Sequence, residues 1–334
     1  MDSEYWISEL TDDDVPAVVS LCRAALDLPE DAAEAAEMVL RLRETTGTDG
    51  WSTRPRQLAG FVALVPAGPA AAAGAALSGV PMSVTGGRVI GVVLGSVSHR
   101  DPSIGHIDLI AVDAEERRRG VGRALVARIE GALAGLGAGD VVIAGNAPYY
   151  AWPGIDVRYT PALCAAMALG FGQDQPAWNM TADLTPGSLA LRATVADEER
   201  LAKAGISVRR AGPDDVPALV DFALTNFGSG WAGEITHSVG REHAGCHVAV
   251  GARGEILGFA AYGSARPSWF GPMGTAPAVR GLGVGSVLLR RCLADQKAAG
   301  HDSVQIGWVG PVPFYSGAVG ARVERVFFLY RKQL

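Results

Sequence analysis

"WFGPMGTAPAVRGLGVGSVLLRRCL", residues 269–293, runs from a strand-like apolar stretch through a glycine loop into an apolar segment of helical spacing. "HIDLIAVDAEERRRGVGRALVARIE", residues 106–130, repeats the plan. Glycines at a helix start cost backbone entropy, so two such loops need a reason. A helix N-terminus offers unpaired N–H donors and the positive end of its dipole, and glycine lets an anion approach where a Cβ would block it. Both loops therefore read as phosphate-binding turns. The Arg117–Arg119 run adds charge to the first, although such a run also suits a solvated surface.

Working outward, a second echo appears. "DDVPA" stands at 13–17 and again at 214–218, each time after a short extended stretch and before an apolar-periodic helix. Aspartate caps free N–H groups and proline is tolerated in a first helical turn, so both copies read as helix starts. Each half then reads strand, helix, strands, glycine loop, helix, strand, helix, strand. The first half's strands are "GFVALV", "VIGVVLGSV", "HIDLIAV" and "DVVIAG"; the second half's are "CHVAVGA", "ILGFAAYGS", "WFGPMGT" and "SVQIGWV". Residues 66–88, an Ala/Gly/Pro tract, read as a flexible excursion between two strands. The expected fold class is α/β in layers: two tandem domains, each a mixed, mostly antiparallel sheet flanked by helices. The boundaries are 1–184, a linker at 185–205, and 206–334.

The bulk numbers agree with this division. A chain of 334 residues is long for one core, and with 49% apolar and 19% charged residues it has ample material to bury. The net charge of −6 and scattered basic residues give no footprint for nucleic acid. Cys22, Cys164, Cys246 and Cys292 form no CxxC pair and suit reduced thiols. The acidic start "MDSEYWISELTDDD" lacks a signal-peptide pattern, and no apolar run reaches the roughly 18 residues that span a bilayer, so a cytoplasmic location away from membranes is expected.

Neither loop has GKS or GKT, and neither gives GxGxxG after a first strand, so nucleoside triphosphate and dinucleotide fingerprints fail. Both satisfy RxxGxG: Arg117, Gly120, Gly122 and Arg280, Gly283, Gly285. At these residues the chain resembles the GNAT superfamily of acetyl-CoA-dependent N-acetyltransferases, in tandem over nearly its whole length. The resemblance implies acetyl-CoA as cofactor, held by Ile110, Ala111, Val112, Arg117, Arg118, Arg119, Gly120, Val121, Gly122 and Arg123 in the first half. In the second half the matching positions are Met273, Gly274, Thr275, Arg280, Gly281, Leu282, Gly283, Val284, Gly285 and Ser286.

The same resemblance puts Tyr315, in "VPFYSGAVGA", at the family's general-acid position. A phenol of pKa about 10 can hand its proton to a departing thiolate of pKa about 8.5. In the first half Ala166 stands where tyrosine is expected, and Tyr149 and Tyr150 in the extra "YYAWPG" stretch read as packing residues. The first half is thus expected to be a scaffold that keeps its phosphate loop, the second the catalyst. Oxyanion donors fall to the backbone near Met273–Thr275. Glu234 is the candidate base, with Trp231 as a pocket wall, although a solvated Glu and a core Trp fit the pattern equally well. Asp108 with His106 on the first half's matching strand reads as a second base or as a structural pair.

His237, His243, Cys246 and His247 invite a metal reading, but Gly245 interrupts the helix their spacing needs, and no metal site is expected. The tandem plan and "WVGPVPFY" are similar to bacterial glucosamine/glucosaminide N-acetyltransferases, implying a small-molecule amine such as an amino sugar. An amine-bearing antibiotic or biosynthetic intermediate, and a non-catalytic acetyl-CoA sensor, are the alternatives. The sequence leaves open whether the chain is a monomer or a homodimer.

Overall fold

The computed structural model describes residues 5–45, 55–66, 82–83 and 86–334. The expected excursion at 66–88 falls largely outside them. In the first half β1 (Trp6–Glu9) leads into α1 (Val15–Ala25), α2 (Pro29–Ala33) and α3 (Ala35–Arg43). Then follow β2 (Leu58–Pro66), β3 (Gly87–Val97), β4 (Ile104–Val112), α4 (Val121–Gly135), β5 (Asp140–Ile143), β6 (Ile155–Asp156), α5 (Thr160–Ala168) and β7 (Gly172–Asp183). The second half opens with α6 (Val195–Lys203), β8 (Ser207–Arg210), α7 (Val216–Asn226) and α8 (Ser229–Thr236). It continues through β9 (Gly245–Val250), β10 (Ile256–Tyr262), β11 (Trp269–Thr275), α9 (Val284–Ala298), β12 (Ser303–Ile306), α10 (Val312–Val319) and β13 (Arg322–Gln333).

The strands form one continuous sheet in the order β1-β2-β3-β4-β5-β13-β7-β12-β11-β10-β9-β8, with β6 on β13. Two of its neighbouring pairs are parallel, β4 with β5 and β11 with β12, and the rest are antiparallel. The mixed, mostly antiparallel character follows the sequence; the separation into two sheets does not. The halves exchange their last strands: β13 lies on β5 of the first half, and β7 lies on β12 of the second. "DVVIAG" and "SVQIGWV" were expected to be longer strands, but β5 and β12 stop at Ile143 and Ile306, where the chain turns away from its parallel neighbour.

Helices cover both faces. α4 packs Val121, Leu125, Ile129 and Leu133 on the first half, and α9 packs Val284, Val287, Leu288 and Cys292 on the second. The opposite face carries α1–α3 in the first half and α7–α8 in the second. The segment at 185–205 is built into the second half's core, where Ala190 and Leu201 are buried among the α9 residues. Among the described residues no helix is long and apolar enough to cross a membrane.

A polar node locks the halves together. Asp31, fully buried, accepts from Arg266 at 2.6 Å, from Arg325 at 2.9 and 2.8 Å, and from Trp152 and Tyr159 at 3.0 Å each. Arg325 also donates to Asp156 at 2.6 Å and Arg266 to Glu34 at 2.5 Å. Burial alone pushes the Asp31 carboxyl up, but the two guanidiniums outweigh it and hold it at about 2. A carboxyl depressed on folding contributes stability above its unfolded pKa and loses that contribution as pH falls through its folded one. Removing one partner of such a network strands buried charge, so Asp31→Asn is expected to cost about 3–5 kcal/mol in denaturant unfolding at pH 7, with a much smaller deficit near pH 2.

Candidate active site

The two glycine loops adopt one conformation. Gly120 and Gly283 precede their helices with φ of +88° and +90°, the left-handed region that disfavours any side chain. α4 and α9 begin one residue before the last glycine of each loop, so Gly122 and Gly285 lie in the first turn. No side chain caps either start, leaving the first-turn N–H donors to an external acceptor. A Cβ at Gly281 (φ +81°) would meet nothing within 4 Å, so the second loop is open at that residue. Such a cradle fits a diphosphate.

Beside each loop the parallel pair splits. β11 and β12 are in register at Trp269/Gln305 and Phe270/Ile306, then diverge; β4 and β5 diverge beyond His106/Val142. Met273–Thr275 and Ile110–Val112 lie past these splits, and among the described residues their edges toward the gap have no strand partner. Each of these strands also carries a register shift at the split, at Asp108 in β4 and at Gly271–Pro272 in β11. Such bulges re-aim the backbone beside active sites.

In the second half the parts converge. A Cβ on Gly285 would lie 3.4 Å from Phe314 of α10 and 3.7 Å from Met273 of β11. Tyr315, the next residue, is buried and packs edge-on against Phe270 and Phe314, with ring centroids 6.2 and 5.1 Å away. Burial pushes its phenol up, so it remains protonated at neutral pH. On the other side of β11, Phe227 stacks on Trp231 at 4.7 Å and fills the space left by Gly274.

Glu234 is neither solvated nor remote. It is buried, and Ser264, whose Oγ donates to the Gly271 carbonyl at 2.9 Å, lies 3.4 Å from its Oε1. Burial pushes its carboxyl up to about 7, against the pull of the Tyr150 and Ser264 hydroxyls. Tyr150 packs edge-on against Trp269 and Trp308, with centroids 6.4 and 5.6 Å away. A residue of the first half thus walls the second half's site beside Glu234. The sequence reads Tyr150 as a packing residue of an extra stretch, and its packing against Trp269 and Trp308 is across the halves.

The first half keeps the loop conformation. Ala166 is buried in the core, and Tyr149 packs among α7 and α8 residues. Arg117 donates to the carbonyl of Ala25 at 2.7 Å and pairs with Asp27 at 3.2 Å. Arg119 pairs with Glu116 at 3.0 Å; Arg118 (φ +65°) and Arg123 are exposed. Asp108 and Arg56 face each other at 3.7 Å with nearly inaccessible side chains, and burial, opposed by Arg56, pushes the Asp108 carboxyl up to about 6. Arg56 was missed because nothing in "WSTRPRQLAG" signals a buried cation. His106 hydrogen-bonds the Ala144 carbonyl at 2.9 Å, and burial pulls its pKa down to about 4. His243, Cys246 and His247 diverge: His243 is exposed, Cys246 lies in the α7–α8 core, and His247 bonds Asp295 of α9 at 2.9 Å.

Comparison with known proteins agrees with this geometry. The model of the Acetyltransferase (GNAT) family matches residues 41–149, which include the first glycine loop. The chain therefore carries a GNAT acetyltransferase domain. No curated protein matches the sequence. Among solved structures, a GCN5-related glucosamine N-acetyltransferase region of a fungal multi-domain GH3 β-N-acetylglucosaminidase superposes with TM-score 0.70 at 17% identity, over 99% of this chain and 38% of that one. A tandem GNAT protein from the clavulanic acid biosynthesis pathway gives 0.64 at 16% identity, over 99% and 98%. A GCN5-related N-acetyltransferase from Sphaerobacter thermophilus gives 0.58 at 19%, over 98% and 95%. These likenesses establish a tandem GNAT fold; this chain spans little more than a third of the fungal protein.

The loop geometry makes a direct test. Gly283→Val puts a β-branched side chain at positive φ and into the cradle, and is expected to weaken coenzyme A binding by at least about tenfold in calorimetric titration, with the circular dichroism spectrum unchanged.

Proposed function

We propose that this protein is an acetyl-CoA-dependent N-acetyltransferase that acts on a primary amine of a small molecule, an amino sugar first among them, with its reaction in the second half. The supporting observation is that, among the described residues, this half alone combines a glycine cradle, a split parallel pair and a buried tyrosine on the adjoining helix. The glucosamine N-acetyltransferase activity of the fungal neighbour favours an amino sugar among amines.

When bound, acetyl-CoA supplies the acetyl group as an activated thioester. The first-turn amides of α9 and the exposed Arg280 would hold its diphosphate, and the gap between β11 and β12 would admit its arm. Backbone N–H groups at Met273–Thr275 polarise the carbonyl oxygen. Glu234, poised near neutrality, accepts the amine proton, and Tyr315, protonated through burial, donates to the departing sulfur. Phe227, Trp231 and Tyr150 exclude water from the amine side. Fixing both reactants here converts a bimolecular encounter into a local one.

Two variants and one panel test this reading. In wild type, kcat/KM for amine acetylation should rise with pH through about 7, as Glu234 ionises. Glu234→Gln should abolish that inflection and lower the rate by about 10²–10⁴-fold. Tyr315→Phe should lower kcat without altering coenzyme affinity. An amine panel that includes glucosamine, scored by thiol release, identifies the acceptor. Full activity in Tyr315→Phe would overturn the assignment of the second half as catalyst.

A further inference from the structure

Resting on that reading, a comparison of the two loops exposes a residue that neither motif contains. Arg200, on α6 of the segment between the halves, donates through Nη1 to the Leu282 carbonyl at 2.6 Å. Its Nη2 lies 2.8 Å from where a Cβ on Gly283 would stand. The guanidinium thus occupies the hollow that the missing side chain creates, at the mouth of α9. Asp197, one turn earlier, accepts from the same Nη2 at 3.0 Å.

This placement is built rather than incidental. Glu198 accepts from Arg291 of α9 at 2.7 and 2.5 Å, pinning α6 along α9. Leu201 is buried in the same core as Val284 and Leu288. Arg200, next to Leu201, projects onto the loop that precedes α9, with its side chain about half exposed. In the first half the equivalent overlook belongs to Tyr5, whose hydroxyl lies 3.7 Å from a Cβ on Gly120. A neutral phenol stands there in place of a cation.

Charge around the loops sharpens the contrast. Residues 106–130 include Asp113, Glu115 and Glu116, and Asp27 joins them in space; Arg88, Arg117 and Arg119 are paired with these acids. Residues 269–293 hold no Asp or Glu at all, and Arg280 is exposed without an acidic partner among the described residues. Arg117 and Arg119 of the first loop are thus held by acids, whereas in the second Arg280 is left to an anion, while Arg291 and Arg200 pair with Glu198 and Asp197 of α6.

We propose that Arg200 is a phosphate ligand of the coenzyme, contributed by the segment between the halves, which pairs with the diphosphate at the α9 cradle. Its hold on one carbonyl and one half-exposed carboxylate is readily exchanged for a doubly charged acceptor, because a guanidinium pairs bidentately with phosphate oxygens.

The test is calorimetric titration of the whole chain with coenzyme A and with 3′-dephospho-coenzyme A. Arg200→Gln retains a donor for the Leu282 carbonyl and loses the charge. It is expected to weaken both ligands by about tenfold, and Arg200→Lys by less. Wild-type affinity in Arg200→Gln overturns the proposal, as does a loss confined to coenzyme A, which would place the contact on the 3′-phosphate. If wild type binds neither ligand, the failure belongs to the acetyl-CoA reading of the cradle itself.

Discussion

The carboxylate of Asp31 collects hydrogen bonds from four side chains that come from both halves of the chain, in a place water does not reach. A buried ion cluster of this kind is costly unless every partner is present, so it demands one arrangement of the halves. Arg325 belongs to β13, which has crossed into the first half's sheet, and Arg266 belongs to the turn between β10 and β11. The node therefore forms only when the strands are exchanged and β11 is in position. Apolar packing would tolerate small shifts between the halves; a bidentate guanidinium tolerates far less.

That registry reaches the site. The stretch at 145–153 is mortar between the halves: Tyr149 enters the α7–α8 layer, Tyr150 meets Trp269 and Trp308, and Ala151 packs under α1–α3. Trp152, in the same stretch, bonds Asp31. The wall beside Glu234 is thus fixed by the same network that joins the halves. The first half thus contributes part of the wall around Glu234.

The two glycine loops were legible because a left-handed residue at a helix entrance admits almost only glycine, and their repetition in register made the tandem plan visible. The buried setting of Glu234 was not, because "GWAGEITH" reads the same whether its carboxylate faces water or Ser264. Asp31, in "PEDAAEAAE", looks like a solvated helix charge until partners more than 200 residues away arrive. Arg200 sits in a stretch whose polarity suggests only a tether. The strand exchange was also hidden: β7 and β13 are both long antiparallel strands, and nothing local says which neighbour either will choose.

Exchange has a consequence for how the molecule is made. During synthesis the first five strands emerge early, yet the strand that completes their row, β13, is built from residues 322–333. Until those residues arrive, β5 presents a bare rim, the kind of rim that invites wrong partners. The row of β1–β5 thus closes only when β13 reaches it, and long-range pairing of this sort is slow. Strand β13 acts as a keystone between the two rows, pairing β5 on one side and β7 on the other.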